Sequence, residues 1–418
     1  MSSTTDKITG YHWILFAICF IVIGFAGVVS GLMSVYLPVV VNSLMGSKDA
    51  LQLNYISAYI NAVFIFGWAF GGFIWGYISD KAGRKKATVY SIICYGLFTV
   101  LTGTMPTWWG VVLCRFITGF GMGGIMVATT TIMIEEWPAK SRAVYIGMAS
   151  VSMPIGIFSA GAINFFVSSW RQGFGVGVIP LAVGIISIWL LKESESWLTE
   201  RDRVSNNNLK QVSIFASHHR KELMVGAMVF GAMLIGLWAI FSWLPTWVQS
   251  IAGEADAQEK RSLTMMIFGI GGLTGSFISG WVMNAIGSRR ALILCYTFCA
   301  LAAFLLFKTN NVFNPVIYAE IGCLSFFFGI SQGVLAVYIP QLFPVAIRST
   351  ATGFCFNICR LFTGTAVLFI GILESFFGGY GNALFVFSLV FVLGLIVTFL
   401  SEEKSPQASL DNVAVVID

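Results

Sequence analysis

"GYISDKAGRKK" (Gly76–Lys86) gathers one acid and four bases between two stretches, 53–79 and 87–114, that carry no charge at all. Only 10% of the 418 residues are charged, 57% are hydrophobic, and the mean hydropathy is +0.84. A soluble domain carries about 25% charge. Too little polar surface remains to cover a water-facing protein of this size, so lipid is the solvent. The uncharged flanks then read as membrane helices and the charged loop as their aqueous link. The 44 glycines fit, because glycine lets membrane helices approach closely. All eight cysteines fall in apolar stretches without a metal-ligand CxxC, and read as small buried hydrophobes.

Outward from this loop, segments of roughly 20 apolar residues start near Trp13, Asn54, Ala87, Trp109, Ala143 and Gln172. Six more start near Leu223, Ser262, Ala291, Asn314, Ser349 and Asn382, twelve spans in all. The first run, 13–41, is too long for a signal-peptide core. The one long polar stretch sets the expected organisation: a six-helix bundle over 1–192, a linker over 193–221, a second bundle over 222–400 and a tail over 401–418. Of 24 Lys and Arg residues, 17 fall on loops 2–3, 4–5, 6–7, 8–9 and 10–11 and the two tails. The alternate loops hold Lys48, Arg171, Lys260, Arg261 and Lys308, while Arg115 and Arg360 lie within spans. By the positive-inside rule both termini face the cytoplasm. That rule also accounts for the net charge of +5 without nucleic acid.

The opening loop has an echo. "GYISDKAGRKKA" (76–87) aligns with "GWVMNAIGSRRA" (280–291) at Gly76/Gly280, Gly83/Gly287 and Ala87/Ala291, an offset of 204. "WPAKSRAVYIG" (137–147) aligns with "FPVAIRSTATG" (343–353) at an offset of 206, sharing Pro, Arg142/Arg348 and Gly. Two matches at nearly one offset indicate duplicated halves. Such halves around a midplane cavity, rocking against each other, are a transporter architecture.

Gly76-x-x-x-Asp80-Lys81-x-Gly83-Arg84-Lys85 resembles the loop 2–3 signature of the major facilitator superfamily. "RFITGFGMGG" (115–124) and "EEWPAKSR" (135–142) are similar to its sugar-porter-like and metabolite branches, and "KESESWL" (192–198) resembles the motif closing their span 6. The resemblance implies an all-α membrane protein of two pseudo-symmetric six-helix bundles. It also implies a charge network of Asp80, Arg84, Glu135, Arg142 and Glu193 that ties the halves shut on the inside. A solvated loop obeying the positive-inside rule explains Lys85 and Lys86, but not an acid within the basic cluster. Gly76 should let span 2 approach a neighbour, and Gly83 should permit a tight turn. Asn284 and Gln341 stand where Asp80 and Glu135 have their repeats, so the second inner gate should be electrostatically weaker.

Arg360 follows Arg348 by twelve residues, about 18 Å along span 11 and near the midplane. A charge there faces a cavity or a partner. With Asn357 one turn away, it could grip a carboxylate; the alternative is an arginine tying helix carbonyls. Arg115 lies about 10 Å inside span 4, where burial and snorkelling to the outer surface both stay open. In related proton-coupled sugar carriers this arginine pairs with an acid in span 1, but "GFAGVVSG" (24–31) has none. Further cavity candidates are Ser30, Ser34, Trp238, Trp243, Gln332 and Tyr338. Glu320 and Glu374, near outer helix ends, are the remaining proton candidates.

Two buried arginines and no clear buried acid favour an organic anion as solute, with proton coupling open. A sugar or polyol carrier is the alternative, and a transporter-like nutrient sensor the rival from another class. No nucleophile–base set, zinc motif or phosphate loop suggests an enzyme, and no cofactor or metal site is expected. The lipid bilayer is the expected surround, the monomer the expected state and a bacterial inner membrane the expected location.

Overall fold

The structure is a computed structural model that describes residues 8–46, 49–138, 141–195, 197–199, 219–253, 256–343 and 348–401. The side chains of 50, 142–144 and 348–350 also lie outside the described set. Among the described residues there are twelve helices long and apolar enough to cross a membrane. In chain order they are α1 (Gly10–Met45), α2 (Ala50–Ala82), α3 (Arg84–Thr104), α4 (Trp108–Glu136), α5 (Arg142–Phe166) and α6 (Trp170–Leu190, with a 3-10 turn at Gly175–Gly177). Then come α7 (Arg220–Ala252), α8 (Ala257–Ile286), α9 (Ser288–Thr309), α10 (Val316–Gln341), α11 (Arg348–Ile372) and α12 (Tyr380–Leu400). Each starts within five residues of the position read from the sequence. Helices are the natural solution here, because hydrocarbon offers no partner to an unpaired backbone group. Large apolar side chains such as Trp189, Phe277 and Phe399 are exposed, as lipid contact allows.

The chain forms two compact units. The first comprises Met1–Leu209 with Leu244–Gly269, and the second Lys210–Trp243 with Ile270–Asp418. The sequence expectation grouped 244–269 with the second half. In the structure Gly161 lies against Ser262 and Met266, and Gly269 against Phe158, which draws this stretch to α5.

Within each unit, glycine seams set helix spacing. In the first, a Cβ on Gly67 or Gly71 would strike the Phe116 or Phe120 carbonyl of α4. In the second, Gly271 and Gly275 meet Gly322 and Phe326 of α10 in the same way. These pairs repeat at offsets of 204 and 206, the two offsets of the sequence repeat. A hydroxyl repeats too: Tyr95 donates to the Val22 carbonyl (3.2 Å), and Tyr296 to that of Val229. Without hydrophobic drive between helices in lipid, this backbone approach is what packs them.

Gly76 is not part of a seam. A Cβ there would sit 3.8 Å from Val127, an ordinary contact, and one at Gly280 would meet nothing within 4 Å. Close approach is instead made five and nine residues earlier, at Gly71 and Gly67 and at Gly275 and Gly271. Gly83 and Gly287 do form tight turns, at φ 112° and 83° with extended ψ, a region essentially restricted to glycine.

Candidate functional site

Arg84 opens α3 immediately after the Gly83 turn, which aims it back at α2 and across to α4. Its Nη1 donates to Asp80 Oδ1 (2.9 Å) and the Ser79 carbonyl (2.7 Å). Its Nη2 pairs with Glu135 Oε1 at 3.0 Å. The Arg84 and Glu135 side chains are 13% and 18% exposed, that of Asp80 76%. The pair with Glu135 is therefore the stronger, because solvent screens the other. These bonds link α2, α3 and α4 of the first unit.

Among the described residues no cation pairs with Glu193. Its Oε1 accepts from the Lys85 backbone N–H (3.0 Å), so it caps the first turn of α3 from outside the helix. The sequence reading missed Trp197, whose indole N–H donates to the Asp80 carbonyl (2.9 Å) and ties the start of the linker to the loop. Its only signal was the place of Trp197 in the "KESESWL" motif. The Arg142 and Arg348 side chains lie outside the described residues.

Arg115 is 1% exposed and does not snorkel. Its Nη1 donates to the Val29 carbonyl of α1 (3.2 Å), and its guanidinium lies 3.8 Å from the Phe64 ring centroid. Its Nε and the Thr118 hydroxyl are buried without a hydrogen-bond partner among the described residues. The acid-free stretch 24–31 is a packing face: Gly27 lies against the Met153 carbonyl and Gly31 against Ala160 of α5. No side chain of acid size fits at those glycines.

In the second unit, Arg360 is half-buried on α11. Its Nη1 donates to the Phe356 carbonyl (2.9 Å) and to Asn357 Oδ1 (3.0 Å). Asn357 is itself oriented by its Nδ2, which donates to the Gly353 carbonyl (3.1 Å). With its oxygen turned to the guanidinium, Asn357 orients Arg360. The Phe356 ring stacks on Phe230 at 4.2 Å. Among the described residues, Gln332 Nε2 on α10 and Thr352 Oγ1 on α11 of this unit are buried without a hydrogen-bond partner.

Other sequence candidates are held by packing. Trp243 is fully buried, donates to the Val367 carbonyl (3.0 Å) and stacks on Tyr380. It is a core residue, as is Trp238, 8% exposed with its edge on Phe241. Tyr338 bonds Ser401 Oγ at 3.0 Å at the end of α10, away from mid-helix. Ser30 donates to the Gly27 carbonyl (2.9 Å) of its own helix, and Ser34 is 2% exposed beside the same seam. Glu320 accepts from Asn310 Nδ2 (2.6 Å), a clamp between the ends of α9 and α10. Glu374 follows α11, and burial pushes its carboxyl above the ordinary value. No group of three or more His, Cys, Asp or Glu among the described residues could hold a metal.

Residues 15–367 match the family model described as Major Facilitator Superfamily. The cis,cis-muconate transport protein of Acinetobacter baylyi is 26% identical over 388 residues, covering 88% of this chain and 91% of that protein. The sialic acid transporter of Escherichia coli is 27% identical over 337 residues, 77% of this chain and 78% of its own. The niacin transporter of Acinetobacter baylyi is 23% identical over 390 residues, 85% and 87%. Among solved structures, a D-xylose-proton symporter superposes with a TM-score of 0.79 at 16% identity, covering 94% of this chain and 98% of that one. This last likeness concerns the fold alone.

Proposed function

Because the chain belongs to the major facilitator superfamily, we propose that it carries a small organic carboxylate across the membrane by alternating access. It is a multi-pass membrane transporter and not an enzyme. The observation that carries the reading is Arg360, a guanidinium held within a membrane helix by Asn357 and the Phe356 carbonyl. An arginine fixed at that depth is costly unless an anion or water reaches it. Solute carboxylate supplies the anion, while Gln332 and Thr352 supply polar atoms that lack partners in this state. The names of the relatives support this cargo class, since muconate, sialic acid and niacin each carry a carboxylate.

Both termini lie on the cytoplasmic side of a bacterial inner membrane, and the Arg84–Glu135 pair stiffens the inner gate. Arg115 does not relay a proton, having a carbonyl and a ring where an acid would stand. Uptake of radiolabelled cis,cis-muconate, benzoate and niacin into proteoliposomes, with xylose as the neutral comparison, tests the reading. Arg360→Gln should weaken carboxylate binding about 10- to 100-fold, the equivalent of one charge-assisted bond. Arg360→Lys should restore only part, because an ammonium lacks the planar fork. Unchanged affinity for a demonstrated carboxylate would make Arg360 structural and return the sugar or polyol alternative.

A further inference from the structure

The first unit holds a cavity of about 660 Å³ at the end of α1, remote in sequence from Arg360. Asn42 and Ser43 of α1, Gln249 of α7, and Asp256, Gln258 and Arg261 at the start of α8 line it. The volume is that of a small-molecule site, about 300–1,000 Å³. Its wall is built, not incidental. Arg261 is 3% exposed and donates Nη1 to Gln249 Oε1 at 2.7 Å. Ser43 accepts the Trp170 indole N–H (3.0 Å). Gln258 donates to the Asn164 carbonyl (2.6 Å), while Asn164 Nδ2 donates back to Ser262 Oγ (2.7 Å). Asp256, at φ 55°, is the one described non-glycine residue with positive φ. Backbone strain of this kind persists where surrounding structure imposes it, often at ligand clamps.

One guanidinium, three carboxamides and a hydroxyl around a cavity match a carboxylate that carries further hydroxyl or carbonyl groups. We propose that this cavity is a docking site for such a solute on the outer face, separate from Arg360. Arg261 takes the carboxylate, and Asn42, Gln249 and Gln258 take the neutral groups. Asp256 sets a like charge against the solute and keeps its residence short. Gln258 belongs both to the cavity wall and to the clasp on α5, so a bound solute competes for the bond that pins α8 to α5. The assignment rests on the reading of the cargo as an organic anion.

Charged thiol reagents test it whichever carboxylate the solute is. Asn42→Cys, in the full-length carrier in nanodiscs, is titrated with anionic sulfonatoethyl and cationic trimethylammonioethyl methanethiosulfonate; the unmutated chain gives the background. The anionic reagent should react about tenfold faster relative to its reaction with free thiol, the effect expected where the Arg261 guanidinium outweighs the more exposed Asp256 carboxylate. Adding Arg261→Gln should abolish the preference, Arg261→Lys should retain it, and Asp256→Asn should widen it. Arg360→Gln should leave it unchanged, so the two readings fail separately: lost uptake tests Arg360, lost reagent preference tests Arg261. Equal rates for the two reagents, or a preference that survives Arg261→Gln, would overturn the docking site.

Discussion

The loops at 76–87 and 280–291 make the same turn with different glue. Gly83 and Gly287 take the same glycine-only conformation and start α3 and α9 alike. In the first unit the arginine after the turn, Arg84, finds two carboxylates. In the second, Ser288 stands in the place of Arg84, Asn284 and Gln341 stand in those of the two carboxylates, and the first arginine after the turn is Arg289, the counterpart of Lys85. It turns to the end of α12, donating Nε to the Thr398 carbonyl (3.2 Å) and Nη2 to that of Phe399. A cation at a helix C-terminus satisfies orphan carbonyls and the dipole together. Duplication therefore kept the backbone device and changed its electrostatics. An ion pair is a contact that can be exchanged, whereas an arginine on carbonyls mainly fixes one helix end, which puts the more switchable loop in the first unit.

The largest separation between the loops should come from the turns themselves. Gly83→Ala forces a Cβ into a region costing about 1–3 kcal/mol and onto the Glu193 carboxylate that caps α3. Loss of that cap adds roughly 0.5–2 kcal/mol. Gly287→Ala meets the backbone cost. Thermal unfolding in detergent should place Gly83→Ala below Gly287→Ala; equal midpoints would mean that Glu193 contributes little.

Next in size is the ion pair. Glu135→Gln leaves the half-buried Arg84 with the exposed Asp80, and should cost about 1.5–3 kcal/mol. Asp80→Asn, at a 76% exposed side chain, should cost under about 1 kcal/mol. Glu135→Gln should slow uptake and raise labelling of cysteines placed on the cytoplasmic side more than Asp80→Asn does. The reverse order would return Asp80 to the centre of the proposed gate. Arg289→Gln, which removes two bonds to carbonyls, should cost roughly 1 kcal/mol and leave that labelling unchanged.

The twelve helices and the repeat were legible because lipid imposes them: each span needs a full apolar length, and each duplicated turn needs its glycine. The Arg84–Glu135 contact was legible because two motifs at one boundary leave a base and an acid little else to meet. What sequence could not supply was facing and depth. Trp243 reads like a cavity aromatic until its indole meets a carbonyl 124 residues away. Arg115 reads as able to snorkel until Phe64 covers it. Arg261 reads as an ordinary loop cation, since its burial depends on Gln249 and the far end of α1. Gly76 shows the converse: a motif glycine need not be a packing glycine, and the seam lies at Gly67 and Gly71.

The smallest effect concerns how each unit treats an acid. Glu135 is held by a cation, whereas burial raises the carboxyl of Glu374 in the second unit above the ordinary 4.5. A raised folded-state value means that the folded chain binds the proton more tightly than the unfolded chain. Stability is then greatest below 4.5, and falls as pH rises through the raised value. Glu374→Gln removes the charge to be desolvated, so it should raise the unfolding midpoint slightly at pH 7 and leave it unchanged near pH 4. Glu135→Gln should lower the midpoint at pH 7, because Arg84 loses its less exposed partner. Opposite signs at neutral pH, read from thermal unfolding of the two variants across pH 4–8, would establish that the units stabilise their acids differently. A fall for Glu374→Gln at pH 7 would show that its carboxylate, like that of Glu135, is held by a favourable contact and not merely buried.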